Sequence, residues 1–220
     1  MSAPKTLIDR YKIWMPDGWY GWLKGEPNQV EQPLRALNPT DIQQQISFSN
    51  AVGELEGRLQ SLSSAVGAAL WVPSETSGIA GYVIIEMFRS ERGTPVTVAI
   101  IERNALQAPV KQGGYLVEDR EVEVSNWLAD DFHEVFPAGQ FATMIFINED
   151  YKNEQTNQRF ATRATVLVID GCLDFVQFIG VTDNLDLCDQ LAESTALMAK
   201  FIAIHTKSLF AANLKGMKST

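Results

Sequence analysis

The sequence predicts an α+β domain: an antiparallel sheet of six to eight strands flanked by two or three helices. Two observations carry this prediction. Asp170-Gly171 joins two runs rich in β-branched and aromatic residues, 162–169 and 172–180, and an Asp-Gly pair is typical of a two-residue type I′ hairpin turn. Over 40–63, apolar residues recur every three or four positions, which indicates an amphipathic helix. Strands joined by tight turns are antiparallel, so we do not expect a doubly wound nucleotide-binding fold.

The chain opens with alternating apolar and polar residues. This pattern predicts a strand over 7–15, a turn at Pro16-Asp17-Gly18 and a second strand over 19–23 that forms a pair with the first. The segment 24–37 has two prolines and no clear period, so we predict a loop. Asn38 is the expected cap of the helix that follows, because proline suits the first helical position after it.

Further strands and one helix are expected in the middle of the chain. A short strand is predicted over 68–72, and enrichment in Val and Ile predicts a hairpin made of 82–88 and 95–102. The segment 104–114 is expected to be a loop. Apolar residues at helical spacing predict a helix over 121–136.

The last third is expected to hold a strand over 141–148, a polar loop over 149–158, the Asp-Gly hairpin and a long closing helix. Asp183 is the expected cap of that helix. Its apolar face is Leu187, Leu191, Met198, Ile202 and Leu209. One domain over 1–213, followed by a short flexible tail over 214–220, is the expected organisation.

The formal net charge is −9. Nucleic-acid binding relies on clustered Lys and Arg, so this charge opposes it and no nucleic-acid partner is expected. No apolar run approaches the length of a membrane-spanning helix, so stable membrane insertion is not expected either. The N-terminus has no apolar core of signal-peptide length. We therefore expect a cytoplasmic protein.

Linear catalytic motifs are absent from the sequence, which contains no nucleophile elbow, phosphate loop or Gly-x-Gly-x-x-Gly fingerprint. Cys172 and Cys188 match no zinc or redox spacing, so we expect buried, unreactive thiols. His133 has acidic neighbours and is the candidate general acid, with a surface histidine as the simpler interpretation. His205 is expected to pack on the closing helix.

Acidic residues are the other candidates for chemistry. The segment Glu149-Asp150-Tyr151 would bind a metal only if the fold brought it to Asp130 and Asp131, and solvated charges are the simpler expectation. We therefore predict no metal, no cofactor and no catalytic residue. Asp174 interrupts an apolar strand, which predicts that this strand lies near an edge of the sheet or beneath a cavity.

Tryptophans are the best candidates for binding. Three of the five lie within nine residues, beside the predicted loop: Trp14, Trp19 and Trp22. Tryptophan has an apolar body and one polar tip, so it is favoured at interfaces and in clefts. We predict that these three residues bind a partner. The alternative is that they seal the end of the core beneath the first turn.

The chain resembles the PsbP-like superfamily. This superfamily includes the extrinsic proteins of photosystem oxygen evolution, DcrB-like proteins, mycobacterial LpqN-type lipoproteins and chaperones associated with type VI secretion effectors. The likeness rests on the order of elements through Ile202 and on five residues of the opening: Tyr11, Ile13, Pro16, Gly18 and Trp19. The resemblance implies a non-enzymatic binding scaffold with no catalytic residues.

Three functions remain open at this stage. The favoured one is a cytoplasmic binding or adaptor protein, such as a secretion-associated chaperone or an immunity-type partner, with an exposed apolar patch. The second is an enzyme without a linear motif, in which carboxylates and His133 converge in a pocket. The third is a homodimer that uses an edge strand or the C-terminal helix.

Overall fold

The computed structural model describes residues 5–38, 40–74, 78–90, 93–127 and 142–208. These residues form an eight-stranded sheet, one strand of which is only two residues long, a separate two-stranded sheet and four helices. The predicted α+β class with a large antiparallel sheet is confirmed, although four helices exceed the two or three expected. The strands are β1 (Thr6–Lys12), β2 (Trp19–Leu23), β3 (Ala65–Trp71), β4 (Gly81–Arg89), β5 (Lys111–Gln112), β6 (Tyr115–Trp127), β7 (Ala142–Asn153), β8 (Arg159–Ile169), β9 (Asp174–Thr182) and β10 (Ala203–Ser208). The helices are α1 (Asn28–Leu37), α2 (Ile42–Ser61), α3 (Val98–Gln107) and α4 (Cys188–Lys200), the last preceded by a 3-10 turn, Leu185–Leu187.

The large sheet has the order β2-β3-β4-β9-β8-β7-β6-β5, and β1 pairs with β10 in the small sheet. The predicted pairing of the first two strands is therefore wrong. The turn between them does form, since the Trp19 amide donates to the Pro16 carbonyl at 3.1 Å and Gly18 has a φ of 78°. It carries the chain from one sheet to the other instead of closing a hairpin.

Both faces of the large sheet are partly covered. One face packs against α4 and the small sheet, through a core that includes Val83, Phe178 and Leu191. On the opposite face, α1 and α2 cover the β2 end, and α3 covers the strands β6 to β8. The small sheet and its connection to β2 thus lie on the first face.

The predicted helix over 40–63 is confirmed as α2. Asp41 is its cap rather than Asn38, because the Asp41 carboxylate accepts a hydrogen bond from the Gln44 amide at 3.0 Å. Its buried face consists of Phe48, Val52, Leu55 and Leu59.

Helix α1 forms in the segment predicted to be a loop. Pro33 lies inside this helix and removes one backbone donor. Val30 and Leu34, one turn apart, are almost fully buried against α2 and the β2 end of the sheet. Tertiary burial therefore outweighs the local cost of proline.

Helix α3 replaces the second strand of the hairpin predicted over 82–88 and 95–102. Strand β4 forms, but it pairs with β3 and β9. Val98 and Ile101 are three residues apart and pack on the core formed by β7 and β8. The β-branched composition of this segment favoured a strand, and packing of one helical face decides against it.

Strand β6 occupies the first part of the helix predicted over 121–136. The run Glu121-Val122-Glu123-Val124 alternates strictly, and Val122 and Val124 face the core beneath α3. The two-residue period was the correct signal here, although a helical period also fits the sequence. Positions 128–136 lie outside the described residues.

The predicted extent of the long closing helix is also wrong. Asn184 rather than Asp183 caps the first turn, with its side chain accepting from the Asp186 amide at 3.2 Å. Helix α4 ends at Lys200, and the chain continues as β10, which pairs with β1. His205 therefore lies in a strand and not on a helix.

The hairpin of β8 and β9 is confirmed, with a different turn. The Cys172 amide donates to the Ile169 carbonyl at 3.0 Å, and only Gly171 of the two central residues has a positive φ, 72°. A type I′ turn needs a positive φ at both, so that assignment is wrong. The predicted polar loop over 149–158 shrinks to 154–158, because β7 continues to Asn153.

Candidate functional site

The three tryptophans predicted to bind a partner occupy different environments. Trp19 is 6% exposed and stacks on Trp71 with ring centroids 5.4 Å apart. Trp22 is 3% exposed, and its indole nitrogen donates to Glu56 Oε2 at 2.9 Å. Trp14 is 48% exposed. Trp19 and Trp22 therefore belong to the core, as the alternative interpretation proposed, and direct contact with a partner is expected only at Trp14.

Trp14 contacts a second exposed ring. It lies in the connection between β1 and β2, and its ring meets that of Phe201 edge to face at a centroid distance of 5.3 Å. Phe201, just after α4, is 46% exposed. We call these two rings the aromatic ridge. Large amphipathic or apolar rings held at the surface are typical of interface hot spots.

Open clefts lie on both sides of the aromatic ridge. One has a volume of about 510 Å³ and is lined by both rings together with Lys12, Ile13, Met15 and Ala203. The other, of about 620 Å³, lies between the Pro16–Gly18 turn and α4, and Trp14, Tyr20 and Glu193 contribute to its walls. The ridge thus stands between an apolar and a more polar depression.

A third cleft, which we call the edge cleft, opens beside β2, the outermost of the described strands of the large sheet. Its volume is about 270 Å³, and its walls are mainly apolar: Tyr11, Ile13, Met15, Leu23 and Ile85. Gly21 and Gly67 supply part of its floor, so side chains that would fill it are missing there. Burial raises the pKa of the Tyr11 hydroxyl, which keeps it protonated and available as a donor at neutral pH.

Asp174 anchors the small sheet that positions these clefts. Its buried carboxylate accepts from the Ile8 amide and from Arg89 Nε, each at 2.8 Å. Strand β9 lies between β4 and β8, so the first of the two predicted alternatives, a strand near an edge of the sheet, is wrong. A polar residue within this apolar strand instead links β1 to the large sheet.

Glu56 of α2 anchors β2 from the opposite face. Besides the Trp22 indole, its carboxylate accepts from the Gly25 amide at 2.8 Å. Burial alone would raise the pKa of Glu56, but the hydrogen bonds from Trp22, Gln60 and Gly25 lower it on balance. The anionic form therefore holds both β2 and the turn that follows it.

The predicted buried thiols are confirmed. Cys172 and Cys188 are both buried and unpaired. Desolvation raises the pKa of each thiol, so both stay protonated near neutral pH.

The acidic residues of β7 are held by ion pairs. Glu149 accepts from Arg120 Nε and from the Tyr151 hydroxyl, each at 2.6 Å, and Asp150 lies 2.9 Å from Arg163. Burial first, and then the bond to Glu149, raise the pKa of Tyr151. No cluster of potential metal ligands occurs in the part of the chain that the structure describes.

Asp130, Asp131 and His133 lie outside the described residues. His205 lies in β10.

Sequence reasoning missed Phe201, Gly21 and Gly67. An isolated glycine inside a strand pattern signals a close approach, so Gly21 and Gly67 carried a usable signal. Indeed, the Trp22 carbonyl oxygen lies 2.8 Å from where a Cβ on Gly67 would stand. Phe201 had no such sequence signal, because an apolar residue within a predicted helix does not stand out.

No known protein-family model matches this chain, and no curated protein matches its sequence. None of the helices in the described ranges has both the length and the apolar character needed to cross a membrane.

Proposed function

We propose that this chain is a non-enzymatic binding protein, an adaptor whose partner is another protein that docks on the aromatic ridge. The resemblance to PsbP-like proteins supports a non-enzymatic binding scaffold. The biological class that we propose is a secretion-associated chaperone or an immunity-type partner acting in the cytoplasm. The ridge supplies the contact, and the two sheets supply the support on which it is held.

The observation that carries this proposal is the pair of half-exposed rings at Trp14 and Phe201. Each ring leaves about half of its surface in water, although both are large enough to be buried. They lie on opposite segments, one before β2 and one after α4, that the small sheet brings together. Such a preordered aromatic pair loses little conformational freedom on binding, which favours affinity.

The test is purification of the tagged full chain from its native host at moderate salt, with mass spectrometry of whatever co-purifies. The partner identified in this way is then titrated against variants. We expect Trp14→Ala and Phe201→Ala each to weaken binding at least tenfold, which corresponds to about 1.4 kcal/mol. Leu106→Ala is the matched control, because Leu106 is 59% exposed and lies on α3, away from the ridge.

Equal affinity of the Trp14→Ala and Leu106→Ala variants would contradict the proposal. So would a preparation with no stoichiometric partner. In that case light scattering would test the homodimer, and metabolite binding around His133 would test the enzyme.

A further inference from the structure

Among the described strands, β2 ends the large sheet, and some of its backbone groups have no hydrogen-bond partner within the described ranges. The Lys24 amide donates to the Val66 carbonyl, and the Val72 amide donates to the Gly18 carbonyl, which sets the phase of the β2–β3 ladder. The backbone N–H and C=O groups of even-numbered β2 residues therefore bond to β3, and those of odd-numbered residues point outward, away from β3. Among described residues, nothing bonds to the Gly21 amide, the Gly21 carbonyl or the Leu23 amide.

The same edge has no charged side chain. Its sequence is Trp-Tyr-Gly-Trp-Leu, and Leu23 is 44% exposed. Proteins usually protect a free edge with charges, proline or a bulge, because unpaired backbone invites another strand. This edge has none of these within β2.

We propose that the edge cleft binds an extended segment of a partner protein, which adds to the sheet as a strand beside β2 and inserts one large apolar side chain over Gly21. This inference rests on the proposed function and specifies its partner. Backbone bonds to Gly21 and Leu23 would supply affinity, and the cleft would supply selectivity.

The geometry favours this occupant. In an antiparallel pair, directly opposed side chains project from the same face of the sheet. Gly21 and Gly67 lie on the face that packs against the small sheet, so a side chain opposite Gly21 points towards Tyr11, Ile13 and Ile85. The tip of Met15 lies above Gly21, within 2.5 Å of where a Cβ would stand, and its flexible thioether can move aside for the guest.

A small apolar molecule fits this edge less well than a peptide does. The outward groups alternate between donor and acceptor along the strand, and an extended backbone offers the complementary alternation at the same spacing. The edge cleft and the cleft beside Phe201 share Lys12, Ile13 and Met15, so a bound segment lies next to the aromatic ridge.

The experiment selects linear 12-residue peptides from a displayed random library against the tagged full chain. We expect binders with alternating apolar residues, one of them large. The best peptide is then resynthesised with one amide N-methylated at a time. Methylation of the amides that face β2, which are every second amide of the peptide, should weaken binding at least tenfold. Methylation of the intervening amides should change the affinity less than twofold, and these amides serve as matched controls. A pattern without the two-residue period would overturn the proposal.

Protein variants provide a second test. Gly21→Pro removes the outward donor, at an edge position where proline is tolerated, and should weaken the same peptide at least tenfold. Gly21→Ala keeps the donor and should keep more of the affinity. Circular dichroism checks the fold of both, and if Gly21→Pro fails to fold, the N-methyl series still decides.

Other outcomes separate this inference from the proposed function. Absence of any peptide that binds more tightly than about 1 mM would overturn strand addition. The Trp14→Ala titration with the co-purified partner would still decide the adaptor proposal. A dimer of the full chain that Gly21→Pro dissociates would assign the edge to a second copy and would also overturn the inference.

Discussion

The two edges of the large sheet differ in how they face solvent. β2 is five residues long and uncharged, and it borders the edge cleft. At the other end, β5 pairs with only two residues of β6, and the Val117 amide donates to the Val110 carbonyl, so the part of β6 beyond Val117 forms a second edge among the described strands. Five residues of β6 are charged, four in succession and a fifth two positions further on: Glu118, Asp119, Arg120, Glu121 and Glu123.

This difference separates a protected edge from an available one. Charged side chains along β6 disfavour the approach of another strand. The residues of β2 give no such protection, and exposed aromatic rings lie nearby. A net charge of −9 therefore says little about where a partner binds, whereas the distribution of charge between the two edges favours one of them.

The largest expected effect is the difference in stability between a substitution of a buried tryptophan and one of an exposed tryptophan. Trp22→Ala should lower the free energy of unfolding by about 3–5 kcal/mol, because it removes a buried ring and leaves a cavity. Trp14→Ala should cost about 1 kcal/mol, since about half of this ring is already in water and its main aromatic contact is with Phe201. Urea denaturation followed by circular dichroism measures both. Similar costs for the two substitutions would contradict the assignment of Trp22 to the core and Trp14 to the surface.

Asp174→Ala should destabilise the protein by about 2 kcal/mol, because the buried Ile8 amide loses its acceptor. Arg89 adds little to this cost, since its side chain is 60% exposed and becomes hydrated. Glu154→Ala removes an acid from an exposed pair with Lys111 and is the control, with an expected cost below about 0.5 kcal/mol. Thermal denaturation compares the two variants, and equal melting temperatures would argue against an anchoring role for Asp174.

If the charges of β6 protect this edge, removing them should increase self-association of the protein. Glu121→Thr combined with Glu123→Thr should promote self-association relative to the wild type, because it removes two charges from the free edge. Sedimentation velocity over a concentration series measures the shift. Glu54→Thr combined with Asp189→Thr removes the same charge from helices α2 and α4 and should not promote association. If both pairs associate equally, net charge rather than edge protection is responsible.

The smallest effect is a pH dependence at Glu56. Its pKa is lowered in the folded state, so its contribution to stability is present above its ordinary value of 4.5 and is lost as the pH falls through the lowered value. Glu56→Gln should therefore be less stable than the wild type near pH 6, by under about 1 kcal/mol. The difference should shrink as the solution is acidified below pH 4.5. A difference that stays constant across this range would show that the charge of Glu56 does not stabilise the β2 end.

Local patterns were sufficient for elements whose period is unambiguous. Helix α2 and the β8–β9 hairpin follow directly from their apolar spacing and from Asp170-Gly171. Helix α1 did not, because burial of Val30 and Leu34 outweighs Pro33, and that burial depends on segments distant in sequence. The same limit applies to β10, whose partner β1 lies at the other end of the chain.

The candidate site was predictable only in part. The tryptophan cluster directed attention to the end of the molecule that holds the aromatic ridge and the edge cleft, but sequence could not separate buried Trp19 and Trp22 from exposed Trp14. That distinction depends on which sheet each residue joins. The contact with Phe201 was not predictable, because it requires the pairing of the first and last described strands.

The most direct test of the account is amide hydrogen exchange of the full chain, measured by NMR with and without its co-purified partner. We predict slowed exchange at Gly21 and Leu23 in the complex, a change in the Trp14 indole signal, and unchanged exchange at the outward amides of β6. Protection at β6 with no change at β2 and Trp14 would contradict the claim that the uncharged edge is the binding end of this protein.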